Sequence, residues 1–152
     1  MVAMEDLVIQ SNDQNIEKVE SFLWDICESN HITDYFGIIS VPVVQAVKNS
    51  IHHGNHDDDG KKVYISCKYI QSGISFSVSD EGEGFDHYKY GEFPMNDGDR
   101  KGLYLIKHLA DNVSYVDGCL SMDFMICGVD ERFASMRRKV IENFGVKNTV
   151  SV

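Results

Sequence analysis

Basic residues are scarce in this chain: 14 Lys and Arg stand against 24 Asp and Glu, for a formal net charge of −10. A nucleic-acid binder normally shows a basic face, so this balance argues against direct contact with DNA or RNA. Long apolar runs are missing as well. No stretch approaches the ~20 residues needed to cross a bilayer, and the start, MVAMEDLVIQSNDQN, has neither the basic opening nor the apolar core of a signal peptide. The four cysteines, Cys27, Cys67, Cys119 and Cys127, show no CxxC spacing. Each lies in an apolar context and reads as a buried thiol rather than part of an oxidised framework. Internal repeats and low-complexity tracts are absent too. What remains is an ordered, cytoplasmic globular protein, and 152 residues with 43% hydrophobic content suffice for one domain with a sizeable core.

The periodicity supplies the elements. DLVIQS reads as a short strand, and Ser11, Asn12 and Asp13 then offer helix-start chemistry. Ile16, Val19, Phe22, Leu23 and Ile26 fall at helical spacing, so roughly 13–30 is an amphipathic helix with Trp24 near its apolar face. A second helix spans about Tyr35 to His53 and closes at Gly54-Asn55. Pro42 inside it removes a backbone donor, so a kink or a restart near Ser40 is expected. KVYISCKYI and GISFSVSD alternate as strands joined by a tight turn at Gln71-Ser72-Gly73. The segment EGEGFDHYKYGEFPMNDGDRK has no clear period, and a loop of that length is usually functional. Helical spacing resumes in GLYLIKHLAD. The strands NVSYV and LSMDFMICG follow around Asp117-Gly118, and a last helix is expected from about Asp130 to Phe144. The order β-α-α-β-β-loop-α-β-β-α predicts an antiparallel-rich sheet with helices packed on one face.

Three short elements carry chemistry. In DEGEGF, Asp80 ends a strand, and Gly82 and Gly84 strip the following turn of side chains. A carboxylate held there can accept a hydrogen bond from an exocyclic amine, while the glycines let a flat ring approach the backbone. By itself the run also fits a plain turn. In GDRKGLYLIKHLAD, Gly98 and Gly102 flank Arg100 and Lys101 at a helix N-terminus, where unpaired amides and the helix dipole favour phosphate oxygens. An ordinary helix start fits that segment as well. In VVQAVKNSIHHGN, Gln45 and Asn49 stand one helical turn apart, and His52, His53, His56 and Asp57 to Asp59 follow. Imidazole beside carboxylate can bind zinc, but the group lacks the spaced pairs of a closed site and reads as a solvated loop.

In this order and at these separations, the elements resemble the GHKL (Bergerat-type) ATP-binding fold, an α/β two-layer sandwich with a mixed, mostly antiparallel sheet. The likeness is closest to the bacterial anti-sigma factor serine kinases. VQAVKNSIHHGN is similar to their N box, VSDEGEGF to their first glycine box and GDRKGLYLIKHLADNVSY to their second. The resemblance implies that Asn49 helps hold the magnesium ion bridging the phosphates of ATP, with His53 beside it. It implies that Asp80 binds the adenine amine, with Gly82 and Gly84 shaping the pocket. Gly98, Arg100, Lys101, Gly102 and Leu103 would close over the phosphates, and the segment between the glycine boxes, to about Lys101, would be an ATP lid. It implies a histidine kinase-like ATP-binding domain over 1–129, with a C-terminal helix and polar tail over 130–152. The implied partners are a sigma factor and a small antagonist protein, with a homodimer as the expected assembly.

One position departs from the pattern. The family usually carries a glutamate as general base four residues before the N-box asparagine, and here that residue is Gln45. An amide cannot take a proton at neutral pH, and general bases typically contribute ~100- to 10,000-fold in rate. Nucleotide binding does not depend on that carboxylate. Three readings therefore stay open: a serine or threonine kinase using another acid such as Glu81, a nucleotide-gated binding module without kinase activity, or a histidine kinase-type ATPase module acting in trans.

Overall fold

The computed structural model describes residues 4–82, 97–126 and Val140, with Met4 and residues 97–100 described as backbone. Five strands form one sheet in the order β1-β2-β3-β5-β4. They are β1 (Met4–Gln10), β2 (Lys62–Ile70), β3 (Gly73–Asp80), β4 (Asn112–Val116) and β5 (Cys119–Met125). Every pairing among these described strands is antiparallel, so the sheet is antiparallel throughout rather than mixed. The α/β two-layer expectation holds.

The register explains the layers. Leu7 pairs with Ile65, Ile65 with Val78 and Val78 with Leu120, while Cys67, Phe76 and Met122 form the next row. Side chains alternate across a pleated strand, so these rows share one face. From Ile65 to Met122, those on β2, β3 and β5 are buried. Phe76 meets Phe124 edge to face, with ring centroids 6.2 Å apart, the arrangement aromatic quadrupoles favour. Burying one such side chain contributes about 1.5–3 kcal/mol. At the β4–β5 hairpin, Asp117 and Gly118 adopt φ of 53° and 77°, as a two-residue primed turn requires.

The helices are α1 (Ile16–Ser29), α2 (Phe36–Asn49) and α3 (Asp97–Leu109). Ile16, Val19, Leu23, Ile26 and Cys27 form the buried stripe of α1. Trp24 joins it to α2 by an edge-on contact with Phe36 at 5.3 Å, and its indole N–H donates to Glu28 Oε2 at 2.8 Å. Helix α2 packs against both α1 and α3, so most of its surface is buried. That burial explains why Pro42 lies inside an uninterrupted helix, without the expected restart near Ser40. Tertiary packing, more than propensity, holds such a helix. Cys27 and Cys67 are buried free thiols, each pushed up to about 12 by burial.

Two boundaries differ from the periodicity. Helix α2 passes into a π turn, Ser50–Gly54, before ending at Asn55. Helix α3 begins at Asp97, five residues before the apolar spacing resumes at Gly102. Its first turn is polar by residue type, so hydrophobic spacing cannot detect it, and aspartate at a helix start is favoured by the dipole. Gly98 to Lys101 are therefore helical rather than part of a preceding loop. The expected C-terminal helix lies outside the described residues except Val140, which is helical and half-buried against the core. Among the described residues no helix is long and apolar enough to cross a membrane.

Candidate functional site

The end of α2 and the end of β3 meet. Asn49 closes the α-helical part of α2 and is 7% exposed. Its side chain makes no hydrogen bond among the described residues, although a buried amide ordinarily finds a partner. The π turn follows, and wider turns of this kind recur at functional sites. It carries His53, half-buried, and brings buried Gly54 against the carboxylate of Asp80. A Cβ on Gly54 would lie 2.1 Å from Asp80 Oδ2, so only glycine allows this approach.

Asp80 is itself held. Its Oδ1 accepts from the backbone N–H of Gly82 at 2.9 Å. A Cβ on Gly82 would lie 2.2 Å from the Gly54 carbonyl oxygen, so the crowding relieved by this glycine comes from within the protein. The half-exposed carboxylate keeps Oδ2 as a further acceptor position at the strand end. Gly84 lies outside the described residues, as does the expected lid up to residue 96.

At the other end, α2 meets α3. A Cβ on buried Gly102 would lie 2.7 Å from Gln45 Oε1, which places the amide at the base position directly against the second glycine box. Gln45 is half-buried on α2, one turn before Asn49. Lys101 is exposed at the start of α3 and Leu103 is half-buried. Gly98 and Arg100 are in the first turn of that helix, where backbone N–H groups lack intrahelical partners. The side chain of Arg100 lies outside what is described.

The histidine–aspartate cluster is built as a loop. His52 lies 2.5 Å from Asp57 through Nδ1 and 3.0 Å from Asp13 through Nε2, linking the π turn to the 3-10 turn that precedes α1. His56 and Asp57 both take left-handed φ, 52° and 59°. Among the described residues no three His, Cys, Asp or Glu side chains come together as a metal-binding group. Glu81 is exposed, and its carboxylate accepts from the backbone N–H of Lys62. That ties it to the start of β2.

Residues 9–124 match the family model of the histidine kinase-like ATPase domain. The chain belongs to that family. Among curated proteins, this histidine kinase-like ATPase domain is 31% identical over 84 residues to an anti-sigma F factor of Oceanobacillus iheyensis. The match covers 51% of this chain and 58% of that protein, so it spans little more than half the length of the relative. The N box, the Asp80 box and the start of the second glycine box all fall inside the matched family domain.

Sequence reasoning missed two members of this site. In the sequence Gly54 and Asn55 close a helix and the N-box match, and neither carries a role of its own. Asn55 is fully buried, and a buried asparagine with all its polar atoms engaged is a fold feature that residue type does not announce. The available signal is a glycine and an asparagine placed together at the end of the N-box match.

Proposed function

We propose that this histidine kinase-like ATPase domain is a nucleotide-gated regulator of the anti-sigma type. It binds ATP with magnesium, and the nucleotide sets its grip on a sigma factor and on a small antagonist protein. The observation that carries the reading is the seating of Gly54 on the Asp80 carboxylate, which brings the turn that follows Asn49 beside that carboxylate. Asp80 would accept from the adenine amine. Asn49, buried and without a side-chain partner among the described residues, has an amide oxygen suited to magnesium, which needs only one or two protein oxygens besides phosphates and water. Bound there, magnesium would neutralise charge on the phosphates. The first turn of α3 would offer its N–H groups to phosphate oxygens, with Lys101 adding charge.

Gln45 supports gating without efficient phosphoryl transfer. It touches Gly102, but an amide cannot accept a proton from a serine or threonine hydroxyl. Glu81, the other acid considered for that role, is instead engaged with the Lys62 N–H. The similarity to an anti-sigma F factor supports the choice of partners. The homodimer and the cytoplasmic setting belong to the same proposal.

Calorimetry with ATP and magnesium tests the binding. Asp80→Asn should weaken affinity roughly ten- to a hundredfold, because a buried hydrogen bond to a charged group is worth about 1.5–3 kcal/mol. Unchanged affinity in that variant would show that the adenine pocket lies elsewhere. A labelled-phosphate assay with the antagonist then separates kinase from gate, and strong transfer by the wild-type chain would overturn the gating reading.

A further inference from the structure

A single buried side chain ties together the segments that surround Asp80. Asn55 follows the π turn and is completely excluded from solvent. Its Nδ2 donates to Ser11 Oγ at 2.7 Å and to the Lys62 carbonyl at 3.0 Å. Its Oδ1 accepts from the backbone N–H of Glu81 at 2.9 Å. Its own backbone N–H donates to the Ser50 carbonyl at 2.8 Å, closing the π turn. The end of β1, the start of β2, the end of β3 and the end of α2 therefore converge on one amide. Ser11 is buried as well, and its hydroxyl donates to the Lys61 carbonyl at 2.8 Å.

The placement has a specific consequence. Glu81 directly follows Asp80, and Gly82, whose N–H holds the Asp80 carboxylate, comes next. The Asn55–Glu81 bond fixes the peptide between Asp80 and Glu81, and with it the direction in which Asp80 leaves the strand. We propose that Asn55 is a positioning residue for adenine recognition. It holds Asp80 in register with the helix end that carries Asn49 and leaves contact with the base to Asp80. This inference rests on the nucleotide-site reading above and extends it to a residue outside the expected contact set.

The test compares ATP with inosine triphosphate, whose ring carries an oxygen where adenine has its amine. The wild-type chain should prefer ATP strongly, since an ionised carboxylate accepts from an amine and repels a carbonyl. In Asn55→Ala the ratio of the two affinities should fall by about tenfold, as loss of the alignment removes most of one charge-assisted hydrogen bond. The Glu81 amide should also exchange faster with solvent in the nucleotide-free protein. A purely structural role would lower both affinities together and leave the ratio alone, which would overturn the proposal. Should Asn55→Ala not fold, Ser11→Ala loosens the same amide from one side. A fall of about threefold in the ratio supports the proposal, Ser11→Thr should restore it, and no change overturns the proposal. A wild-type chain that binds neither nucleotide would defeat the functional reading itself. A discriminating wild type beside an equally discriminating Asn55→Ala would defeat this inference alone.

Discussion

At the Asp80 end of the site, a methyl group added to Gly54 would land 2.1 Å from a carboxylate oxygen; at the α3 end, one added to Gly102 would land 2.7 Å from Gln45 Oε1. The two contacts differ in what can give way. The Asp80 carboxylate is short and tied by the Gly82 N–H, and the backbone beside it is tied by Asn55. The Gln45 amide is the far end of a long side chain on a helix surface, and rotation about its torsions can move it aside. The Asp80 end is thus preorganised by a closed polar network. The α3 end is assembled from two packed helices and one adaptable side chain. The difference suits the tasks proposed for them, because a ring is recognised by fixed geometry while phosphates are held by less directional charge and amide dipoles.

The contrast is broken most forcefully by Gln45→Glu. On the proposed reading, a carboxylate at this position would project toward the phosphates assigned to Asn49. Phosphoryl transfer to the antagonist should rise by up to ~1,000-fold with little change in ATP affinity, measured with labelled ATP. A wild-type chain that already transfers phosphate as fast would show that the phosphate end needs no base at position 45.

Gly54→Ala comes next. The new methyl displaces Asp80, so ATP affinity should fall roughly ten- to a hundredfold by calorimetry, as for Asp80→Asn, and thermal stability should drop with it. Affinity within twofold of wild type would mean that the helix end is not clamped on Asp80 as described.

Gly102→Ala should behave in the opposite way. Alanine is favoured over glycine in a helix by up to about 1 kcal/mol, and the Gln45 amide can turn aside. The melting temperature should hold or rise by about 2–4 °C. A clear fall would show that Gln45 is as rigidly held as Asp80.

A change in pH should reach both ends alike. Burial pushes the Cys27 and Cys67 thiols from 9.0 to about 12, so the folded chain keeps their protons where the unfolded chain releases them. Their contribution is complete below about pH 9 and is lost progressively as pH rises toward 12. Denaturant melts from pH 8 to 11 should show this decline, and replacing both thiols with alanine should flatten it.

Much of this was legible without coordinates. The strands, α1 and the apolar stripe of α3 followed from spacing, because a half-buried element must repeat its apolar residues with its own period. The order of the N box, the Asp80 box and the second glycine box identified the family, because a nucleotide site needs those residue types at those element ends. Tertiary structure decided three other features. It bridged Pro42 within α2, where packing against α1 and α3 outweighs one lost backbone hydrogen bond. It started α3 at Asp97, in a polar turn that carries no hydrophobic signal. It also brought Gly54, Asn55, Ser11 and Glu81 together around Asp80. Their proximity depends on how three strand ends and one helix end converge, and no local pattern along the chain encodes distances between segments so far apart in sequence.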